Sequence, residues 1–200
     1  MIHLMVHYTK NWEGIANVSI PIMEEYCDMH GYVFHIKKVP NYDRYNGLHK
    51  LKMLDAIDDG DVAMIVDADV IITNFNYKIE DFFEFGNELF LADGANCGVM
   101  IVRKTFRGIT DVITEDIKAG KFDCEQDAIG YLISTNKSWN VKILPHPCFN
   151  SYLSELYPEI PQPVTEEEGQ WIEGKSFILH LPALPLEKRI EIMKNTKITR

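Results

Sequence analysis

The sequence predicts an α/β fold, with a mostly parallel, twisted central sheet flanked by helices on both faces. Three observations carry this. Apolar, β-type runs alternate along the chain with stretches of helical periodicity, the pattern of parallel sheets built from strand–helix–strand units. The run Val62-Ala63-Met64-Ile65-Val66 is apolar without interruption, as a strand covered on both faces requires. With 200 residues, 46% hydrophobic and 25% charged, the composition is globular and one core suffices, so residues 1–200 are expected to form a single domain.

The elements follow in order. His3 to Tyr8 is mostly apolar and reads as a buried first strand running into a loop at Thr9-Lys10-Asn11. From Gly14 to His30, Ile15, Val18, Ile22, Met23 and Tyr26 recur at helical spacing, with Pro21 as an expected kink or break and Gly31 as the stop. Tyr32 to Val39 is β-branched and aromatic, a second strand. Asn46 to Asp58 places Leu48, Leu51, Leu54 and Ile57 on one helical face. Asp58-Asp59-Gly60-Asp61 is a turn feeding the apolar strand Val62–Val66. Further on, the sequence predicts a short helix over 79–85, strands over 89–92 and 98–102, and helices over 106–118 and 125–134. Strands over 141–144 and 177–179 precede a charged amphipathic helix over 186–194. Pro158 to Gly169, with three prolines and Glu166-Glu167-Glu168, reads as a surface loop or flap.

Charge and cysteine usage narrow the function. A net charge of −10 disfavours nucleic acid and anionic membranes, because both are bound through cationic patches. It also repels phosphorylated ligands, so any such ligand needs a bound cation or a local cluster of donors to reverse the field. Cys27, Cys97, Cys124 and Cys148 form no CxxC pair, which argues for reduced thiols rather than a zinc site or disulfide framework. No run of 18 apolar residues exists, and Met1–Val6 leads into Lys10, Asn11 and Glu13 rather than a cleavage site. The expectation is a soluble, cytoplasmic chain without a signal peptide or anchor; its oligomeric state is left open.

The most informative feature is Asp67-Ala68-Asp69, where the apolar run Val62–Val66 leaves the sheet. Alternation puts both carboxylates on one side of the chain. Two adjacent carboxylates are stable mainly when a hard cation such as Mg²⁺ or Mn²⁺ binds them or one takes a proton; the competing reading is a solvated turn or helix cap. In Asn96-Cys97-Gly98, the glycine removes a side chain where a ligand could approach the backbone, or marks a bulge. Glu125-Gln126-Asp127 opens a helix with two carboxylates and a carboxamide, which is also what helix capping would select. His180 ends a strand before Leu181-Pro182-Ala183 and suits Mn²⁺, although single histidines are commonly structural. The other histidines carry only that structural reading, and Lys50 is either a surface charge or a phosphate contact.

In this order the segments Leu4–Thr9, His49-Lys50-Leu51-Lys52, Val66–Val70, Asn96–Met100, Glu125–Ile129 and His180–Ala183 resemble the GT-A glycosyltransferases, nucleotide-diphospho-sugar transferases of Rossmann-like fold. The resemblance is strongest to retaining galactosyl and xylosyl transferase families and covers residues 3–185. It implies that Asp69 and His180 ligate Mn²⁺ or Mg²⁺, with Asp67 as a further ligand or a ribose contact. It implies that Tyr8 and Thr9 hold base and ribose, and that Lys50, Ala68, Asn96 and Gly98 line the donor site. Gln126 would lie beside the anomeric carbon and Asp127 beside the transferred sugar or acceptor. The chain departs from the family at Ala183, where glycine is frequent, and the expected basic residue follows only at Lys188.

The expected activity is therefore metal-dependent transfer of a sugar from a nucleotide-diphosphate sugar, a UDP-hexose by resemblance, to a hydroxyl of a carbohydrate or glycosylated acceptor. Retention is favoured. Inversion would make Glu125 or Asp127 the base. The alternatives are a non-catalytic nucleotide-sugar or glycan-binding module on the same fold, and a DxD phosphatase, whose signature is weakened by Ile71 and by the motif's distance from the amino terminus.

Overall fold

The computed structural model describes residues 1–39, 46–83, 86–92, 96–103, 107–135, 140–144, 149–156 and 169–200. Its main sheet contains β1 (Ile2–Thr9), β2 (Val33–Val39), β3 (Val62–Asp67), β5 (Leu89–Ala92), β6 (Asn96–Arg103) and β7 (Val141–Leu144) in the order β2-β1-β3-β6-β5-β7. β1 pairs in parallel with β2 and β3, and β5 with β7, while β6 is antiparallel to both neighbours. The sheet is thus parallel except for one reversed strand in its middle. Two short strands, β4 (Val70–Ile72) and β8 (Ile178–His180), make a separate antiparallel ribbon.

Alternation along the central strands builds two cores. Leu4, Val6, Val62, Met64, Val66, Val99 and Ile101 face one side, where Ile15, Met23 and Tyr26 of α1 (Glu13–His30) and the β4–β8 ribbon cover them. Met5, Ala63, Ile65, Leu89, Leu91, Met100 and Val102 face the other, against Leu48 and Leu51 of α2 (Asn46–Leu51), Ile113 and Ile117 of α3 (Arg107–Lys118), and Ala128 and Ile129 of α4 (Glu125–Thr135). This is why β3 lacks polar alternation: neither face meets water. The last helix, α5 (Leu186–Asn195), packs beside α1 and buries Arg189 and Met193.

Local structure departs from the sequence expectations at several points. α1 runs unbroken through Pro21 because Pro21 and Asn17, whose carbonyl loses its donor, both lie on the exposed side. It ends at Gly31, whose φ of 72° is the left-handed conformation that glycine adopts most cheaply. The expected helix over 46–58 is α-helical only to Leu51 and tightens to a 3₁₀ turn over Lys52–Ala56, although Leu48, Leu51, Leu54 and Ile57 are all buried as their spacing requires. At Ile79–Phe82 there is a single 3₁₀ turn rather than a longer helix. β1 runs on through Thr9, which was expected to open the loop, β8 is shifted by one residue to include His180, and β4 was not expected at all. Cys148, His146 and residues 158–168 of the acidic, proline-rich segment lie outside the described residues. Cys27, Cys97 and Cys124 form no disulfide, and no helix among the described residues is long and apolar enough to cross a membrane.

Candidate active site

The chemistry gathers at the carboxyl edge of β1 and β3. Since β6 runs the opposite way, its first residues, Asn96 to Gly98, arrive at that same edge. Asp67 is the last residue of β3 and stands in register with His7 of β1. A turn through Ala68 and Asp69 then leads into β4, whose Val70 pairs with His180 of β8, and the Leu181 amide donates to the Asp69 carbonyl at 3.1 Å. The ribbon therefore returns a histidine from the far end of the chain to the Asp-Ala-Asp turn.

One ligand atom from each of Asp67, Asp69 and His180 can be chosen so that all lie within 4.8 Å of one another. His180 is 3% exposed, and its Nδ1–H donates to Asn150 Oδ1 at 2.8 Å, which leaves the Nε2 lone pair 3.6 Å from Asp69 Oδ1. Gly98 makes room for this ring. A Cβ there would come within 2.3 Å of His180 Cε1 and 2.9 Å of Nε2, so the space the glycine leaves is filled by the imidazole. Asn96 sits behind it, its Oδ1 accepting from the Gly98 amide at 2.8 Å. Two carboxylates and an oriented imidazole nitrogen, with a cradle cleared for the ring, suit a divalent metal such as Mn²⁺ or Mg²⁺.

Each aspartate also has a buried cation of its own. Lys50, 1% exposed, donates to Asp67 Oδ1 at 2.8 Å and to the Cys97 carbonyl at 2.7 Å, and lies 3.2 Å from Glu125 Oε1. It is neither the surface charge nor the open phosphate contact that its position in the sequence suggested, because its three protons face three protein oxygens. Burial alone would lower its pKa, but Asp67 and Glu125 more than offset that and raise it. Glu125 reaches Lys50 across Gly47, where a Cβ would collide with the carboxylate. Burial raises the Glu125 pKa, but Lys50 together with backbone hydrogen bonding and His7 leaves it below the usual range. Asp67 is raised, chiefly by burial and against the pull of Lys50, with Asp69 adding to the rise.

Asp69, 6% exposed, is paired through Oδ2 with Arg189 Nη1 at 2.8 Å. Burial pushes its pKa up, but His180 and Arg189 together hold it below the ordinary value. The expectation that the acid pair needs a metal or a shared proton is thus met in a third way, by two fixed cations on opposite sides. Arg189 is 6% exposed, donates from Nε to the Leu184 carbonyl at 2.6 Å, and lies over the Trp12 ring at 4.4 Å from its centroid. The loop that delivers it turns at Ala183, whose φ of 58° is the conformation for which glycine would be the relaxed choice.

The cleft itself is lined by His7, Tyr8, Thr9, Trp12, Gly47, Lys50, Asp67, Ala68, Asp69 and Glu125. Tyr8, Thr9, Lys50, Asp67, Ala68, Asp69 and Glu125 were expected from the sequence; His7, Trp12, Gly47 and the neighbouring Arg189 were not. Gln126 is exposed at the start of α4, with Oε1 near the Cys97 amide at 3.4 Å, and Asp127 is exposed outside the cleft lining. His7 has a buried Nδ1 without a hydrogen-bond partner, and burial followed by Lys50 lowers its pKa to about 4, so the ring is neutral at pH 7. The signals for the missed residues were present but weak. His7 alternates with Met5 on the face shared with Asp67, and Arg189 lies one helical turn before Met193 on the buried side of α5.

The sheet, parallel except for one reversed central strand and flanked by helices, has the fold of the GT-A glycosyltransferases. Among solved structures, a glycosyltransferase involved in the glycosylation of the major capsid of PBCV-1 superposes with a TM-score of 0.74 at 16% identity, over 96% of this chain and 98% of that one. Galactosyltransferase LgtC, solved with donor and acceptor sugar analogues, gives a TM-score of 0.64 at 13% identity over 99% and 97% of the two chains. The apo glycosyltransferase GlyE of Streptococcus pneumoniae TIGR4 gives 0.59 at 13% identity, covering 96% of this chain and 59% of its own. By sequence, the chain matches no family model and no curated protein.

Proposed function

We propose that this protein is a metal-dependent glycosyltransferase that moves a sugar from a nucleotide-diphosphate sugar, a UDP-hexose, to a hydroxyl of a carbohydrate or glycosylated acceptor with retention of configuration. The observation that carries the reading is the convergence of His180 with Asp67 and Asp69, the two aspartates lining a cleft at the carboxyl edge of a GT-A sheet. A divalent metal held by these three residues supplies Lewis-acid stabilisation of charge on a departing diphosphate. Asn150 keeps His180 in the tautomer whose Nε2 is a ligand. Lys50 holds Asp67 and orients Glu125 from beneath the cleft. Trp12 and Tyr8 offer aromatic surface for a base beside Thr9.

Retention is supported by the placement of the two bases weighed for inversion: Asp127 lies outside the cleft lining, and Glu125 is engaged by Lys50. Glu125 is tied to Lys50 and held below the usual carboxylate range, so at neutral pH it is ionised but weakly basic. His7 has its pKa pushed down to about 4 and is likewise a weak proton acceptor at neutral pH. In this reading the acceptor's proton goes to the leaving phosphate oxygen, and Gln126 lends its carboxamide dipole near the sugar.

A thermal-shift screen of UDP-, GDP- and CMP-sugars with and without Mn²⁺, followed by nucleotide release in the presence of sugar acceptors, tests this. A Mn²⁺-dependent shift with a UDP-sugar is expected, about 2.7 kcal/mol of added stability at 100 times its dissociation constant. Binding without nucleotide release would replace the enzyme with a binding module. Phosphate release from a simple ester, without response to nucleotide sugars, would replace it with a phosphatase.

A further inference from the structure

The two cations that neutralise the aspartates are held in different ways. Lys50 has its ammonium surrounded by Asp67, Glu125 and the Cys97 carbonyl, all contributed by the sheet and the helices packed on it. Arg189 meets Asp69 at one oxygen only, through Nη1 at 2.8 Å. Its other contacts, the Leu184 carbonyl at 2.6 Å and the face of Trp12 at 4.4 Å, do not involve the acidic cluster and would still support the guanidinium if Asp69 were given up. Asp69 is the carboxylate with most to offer a metal, since its Oδ1 stands 3.6 Å from the oriented Nε2 of His180. A dication on that carboxylate and a guanidinium on its second oxygen are like charges separated by little more than the carboxylate's width, in a place nearly closed to water, where repulsion is poorly screened.

We infer that Arg189 is the resident counter-ion of Asp69, displaced when a divalent metal takes that carboxylate, so that its charge sets how tightly the metal is held. With Asp67, Asp69 and Glu125 set against Lys50 and Arg189, the cluster keeps a single excess negative charge. Metal affinity is accordingly modest in the wild-type chain. Displacement has an optical signature, because the guanidinium released from Asp69 stays on Trp12 but shifts over its ring. Arg189 is thus a positioning and affinity-setting residue that acts through Asp69. The inference rests on the metal-binding reading of Asp67, Asp69 and His180.

The test uses the full chain and the metal alone. Free Mn²⁺ is titrated by electron paramagnetic resonance against wild type, Arg189→Gln and Arg189→Lys, with thermal melts to confirm folding. Arg189→Gln is expected to bind Mn²⁺ about tenfold tighter than wild type, the scale of one relieved like-charge contact, while Arg189→Lys, which keeps the charge, stays close to wild type. Mg²⁺, which does not quench by paramagnetism, is expected to change tryptophan emission in wild type but not in Trp12→Phe. Equal or weaker Mn²⁺ binding by folded Arg189→Gln would overturn the inference while leaving the metal site intact. Should Arg189→Gln fail to fold, an unchanged wild-type emission at saturating Mg²⁺ would overturn it instead. No Mn²⁺ binding by any of the three proteins would remove both the inference and the metal reading beneath it.

Discussion

At the scale of single residues, the site depends on charges and clearances that act in pairs. Asp69 with Arg189 is a buried ion pair, and removing one partner of such a pair strands the other at a cost of about 3–5 kcal/mol, whereas in the Asp67–Lys50 pair only the lysine is buried and the aspartate side chain is 35% exposed. Asp69→Ala therefore confounds loss of metal with an unpaired Arg189, and Asp69→Asn, which keeps the shape and can still accept a hydrogen bond from the guanidinium, is the cleaner probe of metal dependence. Gly98 offers a clearance test. Gly98→Ala places a methyl 2.3 Å from His180 Cε1, so the ring must shift. Mn²⁺ affinity is expected to fall about 10- to 100-fold, as when a ligand loses its orientation, and isothermal titration checks it; unchanged affinity would show that His180 is not a ligand.

At the scale of elements, β6 and the β4–β8 ribbon decide where the site is. Reversal of β6 brings Asn96–Gly98 to the edge where β1 and β3 end, and the ribbon carries His180 across to Asp69. Leu179 stands in the ribbon opposite Ile71, and both are fully buried. Leu179→Ala is expected to cost about 2–5 kcal/mol in urea unfolding. Ile143 lies on β7 at the sheet edge and is 47% exposed, so Ile143→Ala is expected to change stability by about 0.5 kcal/mol or less. Similar costs for the two would mean that the ribbon is not part of the cooperative core.

At the scale of the whole molecule, the net charge of −10 and the cationic groups at the site pull in opposite directions. The buried cations Lys50 and Arg189 offset two of the three carboxylates at the site and leave it less repulsive to phosphate than those carboxylates alone would make it. His7 also links the site to global stability. Its folded pKa of about 4 lies below the ordinary histidine value of 6.5, so between those values the unfolded chain binds a proton that the folded chain refuses. Stability is then expected to fall as pH drops from 6.5 toward 4, by roughly 2–3 kcal/mol from this group. Denaturant melts of wild type and His7→Gln over that range check it, with the slope flattened in the variant; an identical slope would place the titration elsewhere.

Much of this protein was legible from its residues one segment at a time. The alternation of apolar strands and helical periodicities, the two-faced burial of Val62–Val66, and the Asp-Ala-Asp turn at a strand end all follow from local spacing, because strand and helix periods are properties of neighbouring residues. Tertiary structure decided what spacing does not encode: that β6 runs backwards, that β8 seats His180 against Gly98, and that Lys50, read as a surface charge or a phosphate contact, and Arg189, within a charged amphipathic helix, are buried counter-ions of the two aspartates. Those contacts join residues far apart in the chain, and a charged side chain is buried only where its partner is brought to it, so the pairing belongs to the fold and not to either segment alone.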